Sequence, residues 1–75
     1  MTKNWKKEEY RTEWYKMDRN GNGYRIDVVT VGNSSYNFRV FKIIRNSTQD
    51  SPIFQKKNLT YKKALIDARK YMKRH

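Results

Sequence analysis

The stretch that decides the fold is residues 24–44, which read YRIDVVTVGNSSYNFRVFKII. Both arms of this stretch are rich in β-branched and aromatic residues, which favour extended strands. The turn-forming residues 32–35 lie between the two arms. The stretch therefore predicts a β-hairpin, and the rest of the chain is interpreted around it.

Two registers are open for this hairpin, and they bury different side chains. A loop over residues 31–35 pairs Val28 with Phe38 on an apolar face and sets Asp27 beside Arg39 on the opposite face. A loop one residue shorter would instead place Val28 opposite Arg39 and mix charge into the apolar set. We favour the first register because it separates the two faces and pairs opposite charges across the strands.

The wider pattern predicts an α+β fold. We expect an antiparallel sheet of three strands, at residues 13–18, 24–31 and 36–45, or of four strands if a short one also forms near Ile53. Thr60 is a candidate helix N-cap, and apolar residues recur beyond it at intervals of three and four. This spacing predicts a C-terminal amphipathic basic helix packed on one face of the sheet.

A chain of 75 residues is expected to form one domain, because it buries too little surface for two cores. Residues 1–12 are highly charged and predict a tail or a short helix, and residues 13–75 are expected to form the folded domain. The order of elements resembles that of the small sheet-plus-helix DNA-binding domains at the N-termini of some tyrosine recombinases. The resemblance covers element order alone, and no residue is carried over from it.

The charge of the chain is strongly positive and uneven. The formal net charge is +11, and residues 39–75 hold eleven basic side chains against two acidic ones. Such a field attracts polyanions, so nucleic acid is the first partner to consider. There is neither an apolar run of membrane-spanning length nor a signal peptide, and there is no Cys, so we expect a soluble cytoplasmic protein with no membrane partner.

The residues needed for catalysis are scarce. His75 is the one His, and without Cys the usual pairs of nucleophile and base cannot be assembled. We therefore expect neither enzyme activity nor a cofactor. Residues 18–23 match the opening half of a calcium-binding EF-hand loop, but Val29 occupies the position where that loop needs a bidentate Glu. A tight turn explains the same residues, and no metal site is expected.

The leading hypothesis is a sequence-tolerant nucleic-acid-binding protein that contacts the phosphate backbone. RNA or single-stranded DNA is favoured over duplex, since the aromatic content suits unpaired bases. Phe41, Tyr24 and Trp14 are the rings for which exposure is expected. The candidate contact residues are Arg25, Arg39, Phe41, Lys42, Arg45, Lys56, Lys57, Lys62, Lys63, Arg69, Lys70, Lys73 and Arg74.

A second hypothesis belongs to a different class of function. The positive surface would also steer a small inhibitor or adaptor, of the kind that phages deploy, onto an acidic surface of a host protein. A sheet of few strands leaves its edges open, so a homodimer formed by strand pairing is a further candidate.

Overall fold

The computed structural model describes residues 5–75 as an antiparallel sheet with one C-terminal helix. The elements are β1 (Lys6–Lys7), β2 (Glu13–Met17), β3 (Gly23–Thr30), β4 (Tyr36–Ile44), β5 (Ser47–Thr48), β6 (Phe54–Leu59) and α1 (Tyr61–Arg74). The prediction of a small α+β fold is confirmed. The expected number of three or four strands is too low, because the sheet has six, counting the two-residue strands β1 and β5.

The N-terminal region differs from its prediction. Residues 5–12 hold β1 instead of a short helix, and β1 pairs with β2 so that Lys6 lies opposite Tyr15. Trp5 is only 9% exposed and packs into the core. The packing of Trp5 holds residues 5–12 against the sheet. The high charge of the segment does not predict this contact. Residues 1–4 of the predicted tail lie outside the described residues.

The β3–β4 hairpin has the favoured register. Val28 lies opposite Phe38, and Asp27 lies opposite Arg39. The preceding turn between β2 and β3 is held by Asp18, whose Oδ1 accepts hydrogen bonds from the backbone amides of Asn20 and Asn22 at 2.9 and 3.0 Å. The carboxylate of Asp18 therefore stabilises a turn, as the sequence predicted.

Strands β5 and β6 both pair with the same edge of β4. Thr48 in β5 lies opposite Ile43, and Phe54 in β6 lies opposite Val40. The predicted fourth strand is thus present as β6. Near its end the pairing shifts by one residue, where Asn58 adopts a positive φ of 59° and donates its amide hydrogen to Asn37 Oδ1. Such a bulge bends an edge strand and breaks its regular ladder.

The core lies between α1 and one face of the sheet, which we call the helix face. Thr60 is the N-cap of α1, and its hydroxyl accepts a hydrogen bond from the amide of Lys63 at 3.1 Å. Ala64 and Ala68 are fully buried against the sheet, and these small side chains let the helix backbone approach it closely. The sheet contributes five buried side chains to this core: Trp14, Ile26, Val28, Phe38 and Val40.

The other side of the sheet, which we call the open face, is not covered by α1. Register places Arg25 opposite Phe41 and Asp27 opposite Arg39 on this face.

The helix itself has 14 residues. Within residues 5–75, no helix has both the length and the apolar character needed to cross a membrane.

Candidate nucleic-acid interface

The candidate contact residues lie on two sides of the molecule. Arg25, Arg39 and Phe41 belong to the open face of the sheet. The helix α1 packs on the helix face of the sheet, and its basic residues lie on the side of the helix that is turned away from the sheet. The two groups are separated by the sheet and the helix, so they do not form one surface.

The guanidinium groups on the open face are already paired with carboxylates. Arg39 donates from Nε and from a terminal nitrogen to the two oxygens of buried Asp27, at 2.9 and 2.7 Å. This hydrogen-bonded contact raises the pKa of Arg39, against the opposing effect of its burial. Arg25 lies 3.6 Å from a carboxylate oxygen of Glu13 and 3.8 Å from one of Glu8. These two arginines therefore contribute little free positive charge.

Two of the rings for which exposure was expected are buried. Phe41 is 8% exposed and Trp14 is 9% exposed. The guanidinium of Arg39 lies 5.0 Å from the centre of the Phe41 ring and covers it from the open side. Trp14 instead points to the helix face and joins the core. The expectation that Phe41 would be displayed on the sheet surface is therefore wrong.

The outer side of α1 carries a group of cations that we call the helix surface. It consists of Lys62, Lys63, Arg69, Lys70, Lys73 and Arg74, all of which are exposed. The one acidic residue of the helix, Asp67, points inward and is buried. Its carboxylate lies 3.4 Å from Nζ of Lys63 and 3.6 Å from Nζ of Lys56 on β6. Lys63 is thus partly neutralised, and the other five cations have no carboxylate of residues 5–75 within ion-pair distance.

The remaining candidates extend this positive region to different degrees. Lys56 and Lys57 are exposed on β6, although Lys56 is held by Asp67. Lys42 is exposed on β4, and its Nζ lies 5.8 Å from the centre of the Tyr24 ring. Arg45 lies in the turn between β4 and β5, beside the β2–β3 turn, where its backbone amide donates to Asn22 Oδ1.

A group of four rings lies beside the C-terminal half of α1, and we call it the aromatic row. Tyr71 is stacked on His75 with ring centres 4.2 Å apart, and it faces Phe54 at 6.2 Å with an angle of 21° between the planes. Tyr24 completes the row at 6.2 Å from His75. Burial, and to a smaller extent the neighbouring Tyr24, raises the pKa of Tyr71.

Sequence reasoning singled out only Tyr24 from this row. The i, i+4 spacing of Tyr71 and His75 on a predicted helix is a signal that could have linked those two rings. The place of Phe54 depends on the pairing of β6 with β4, which no local pattern indicates.

Comparison of the chain with protein-family models, with curated proteins and with solved structures finds no match. Among the side chains of residues 5–75 there is no group of three or more His, Asp or Glu placed to hold a metal ion. The features of residues 5–75 that bear on function are the charge of the helix surface and the geometry of the aromatic row.

Proposed function

We propose that this protein is a non-catalytic, cytoplasmic nucleic-acid-binding protein that holds the phosphate backbone on its helix surface. The observation that carries the proposal is the separation of charge on α1, where five cations have no carboxylate partner among residues 5–75 and the one acidic side chain of the helix is buried. Lys and Arg bind phosphates with release of counterions, and this affinity does not depend on base sequence.

The charge along α1 is well distributed for contacts to a phosphate backbone. A helix of 14 residues is about 21 Å long. Lys62, Arg69 and Lys73 follow one row at intervals of seven and four, and Lys63, Lys70 and Arg74 follow a second row with the same intervals. Cations are thus available along the full length of the exposed side. We favour RNA or single-stranded DNA as the ligand, because exposed rings lie beside this surface.

The salt dependence of binding tests the proposal. Fluorescence anisotropy with a labelled single-stranded oligonucleotide should give a logarithmic salt slope of about −3.5 for phosphate contacts from the five cations of the helix surface other than Lys63, at about 0.7 per contact. Replacing Arg69, Lys70 and Lys73 by Gln should reduce the slope to about −1.4 and weaken binding steeply. Affinity of the unaltered protein that does not change with salt would refute the proposed function.

A matched control separates local charge from total charge. Replacing Lys6, Lys7 and Arg19 by Gln also lowers the net charge from +11 to +8, but it leaves the helix surface intact. The control variant should retain most of its affinity. Equal losses in the two triple variants would show that net charge, and not the helix surface, governs binding.

A second candidate function is binding to an acidic host protein as an inhibitor or adaptor. Ile66, which is 37% exposed, lies in the middle of the helix surface. A protein partner would bury this side chain, whereas phosphate contacts do not need it. Ile66→Ala should therefore weaken capture of an acidic protein and leave affinity for random oligonucleotides unchanged. Stoichiometric capture of one protein, without a shift of oligonucleotides, would favour this candidate.

Homodimerisation is a further proposal, based on the open edge of the sheet. The backbone of β6 pairs with β4 on one side, and its other side has no partner strand among residues 5–75. A second copy could add a strand there, although Lys56 and Lys57 of the two copies would repel one another. Sedimentation velocity at low and physiological salt tests this, since screening should favour the dimer.

A further inference from the structure

The aromatic row is supported from below by a buried ring. Phe38 is almost fully buried, and its ring centre lies 5.9 Å from that of Phe54 and 6.2 Å from that of Tyr71, with both pairs in edge-to-face geometry. Edge-to-face contacts at these distances are favourable and restrict ring orientation. Phe54 and Tyr71 are therefore held nearly parallel before any ligand arrives.

Phe54 remains accessible although it belongs to this cluster. The residue is 43% exposed, and it lies on β6 at the edge of the sheet. A flat ring at an edge can receive the face of a second flat ring without rearrangement of the core.

Cations surround the row on two sides. Arg74 follows Tyr71 by three residues, so it lies beside that ring on the helix, and Lys70 lies one turn before Arg74 on the exposed side. Lys42 lies at the other end of the row, over Tyr24. None of these three cations has a carboxylate of residues 5–75 within ion-pair distance. A chain that carries both flat bases and phosphates would match this arrangement.

We propose that the aromatic row stacks unpaired bases of single-stranded nucleic acid, with Phe54 as the main contact and with Lys42, Lys70 and Arg74 holding flanking phosphates. The inference rests on the proposed function and adds the place where the bases of the single strand bind and the side chains that contact them. In a duplex the base faces are already stacked on one another, so they are not available to Phe54. Aromatic stacking accepts every base, which agrees with sequence-tolerant binding.

Removing the bases while keeping the backbone provides the test. Dissociation constants are measured at low salt for a 15-nucleotide thymidine oligomer and for an abasic oligomer of the same length and charge. The unaltered protein should bind the thymidine oligomer at least tenfold more tightly, a factor within the range expected for one stacked base. Phe54→Leu should lower affinity for the thymidine oligomer about tenfold and leave affinity for the abasic oligomer unchanged.

Tyr61 provides a matched control, because it is 44% exposed but lies at the other end of α1. Tyr61→Leu should leave both dissociation constants within about twofold of the unaltered protein, since the substitution removes no ring from the aromatic row. Far-UV circular dichroism confirms that each variant is folded. If Phe54→Leu does not fold, Phe54→Trp takes its place and should raise affinity for the thymidine oligomer alone.

The outcomes separate this inference from the proposed function. Equal affinity of the unaltered protein for the two oligomers would overturn base stacking and leave phosphate binding intact. Equal losses in Phe54→Leu and Tyr61→Leu would also overturn it, because the effect would not belong to the row. Failure to bind either oligomer would refute nucleic-acid binding itself.

Discussion

Replacing Arg39 by Gln tests whether an arginine of the open face serves the fold or the ligand. Arg39 is bound through two hydrogen bonds to the buried carboxylate of Asp27, and its guanidinium covers Phe41. Because these contacts occupy it, we expect the substitution to lower the free energy of unfolding and to change nucleic-acid affinity little. Arg69→Gln provides the matched change, since it removes one positive charge from the exposed helix surface.

The magnitude follows from the burial of the two partners. Removing one member of a buried ion pair costs about 3–5 kcal/mol. The side chain of Arg39 is 34% exposed, whereas that of Asp27 is 6% exposed, so water can replace only part of the lost contact. We therefore expect the free energy of unfolding to fall by about 2–3 kcal/mol. This is less than the full cost, because water hydrates part of what the substitution leaves unpaired. For a domain of this size, this corresponds to a decrease in Tm of about 10–20 °C.

Urea denaturation followed by far-UV circular dichroism measures the change in stability, and anisotropy at low temperature measures affinity on the folded variants. Arg69→Gln should change stability by less than about 0.5 kcal/mol and should reduce the salt slope by about 0.7. The reasoning is refuted if Arg39→Gln leaves the urea midpoint unchanged, or if it weakens binding more than Arg69→Gln does.

Substitutions at three further positions test the fold around the site. Thr60→Ala should lower the free energy of unfolding by about 1 kcal/mol in urea denaturation, because the backbone amide of Lys63 loses its hydrogen-bond acceptor. Thr60→Ser keeps a hydroxyl at the N-cap and should retain most of the lost stability. The pKa of Tyr71 is raised in the folded protein, so as the pH rises the unfolded chain loses the phenol proton before the folded protein does. The free energy of unfolding should therefore fall as the pH rises above 10.0, the ordinary pKa of a Tyr side chain. In urea denaturation between pH 9 and 11, Tyr71→Phe should reduce this fall. A Cβ atom at Gly23 would collide with the backbone carbonyl of Lys16, so Gly23→Ala should cost more than about 2 kcal/mol in thermal unfolding, and an unchanged Tm would contradict this contact.

Local patterns in the sequence determined the central hairpin, its register and the C-terminal helix. A strand of eight or nine residues repeats its alternation often enough to identify the buried face, and register then follows from keeping Val28 opposite Phe38. The same register already implied that Asp27 meets Arg39. The helix was predictable because its period of 3.6 extends over 14 residues and Thr60 precedes it, and this period also identifies the cations of the helix surface.

Only the tertiary structure decided which strands meet and which charges remain free. The strands β1 and β5 have two residues each, too few to show any period, and the position of β6 depends on pairing with β4 across a loop. The exposure of a side chain depends on these long-range contacts. No local pattern in the sequence therefore predicts that Phe41 is buried under Arg39 or that Phe54 is accessible. A basic side chain is free only if folding brings no carboxylate to it, and that depends on the three-dimensional arrangement of the whole chain.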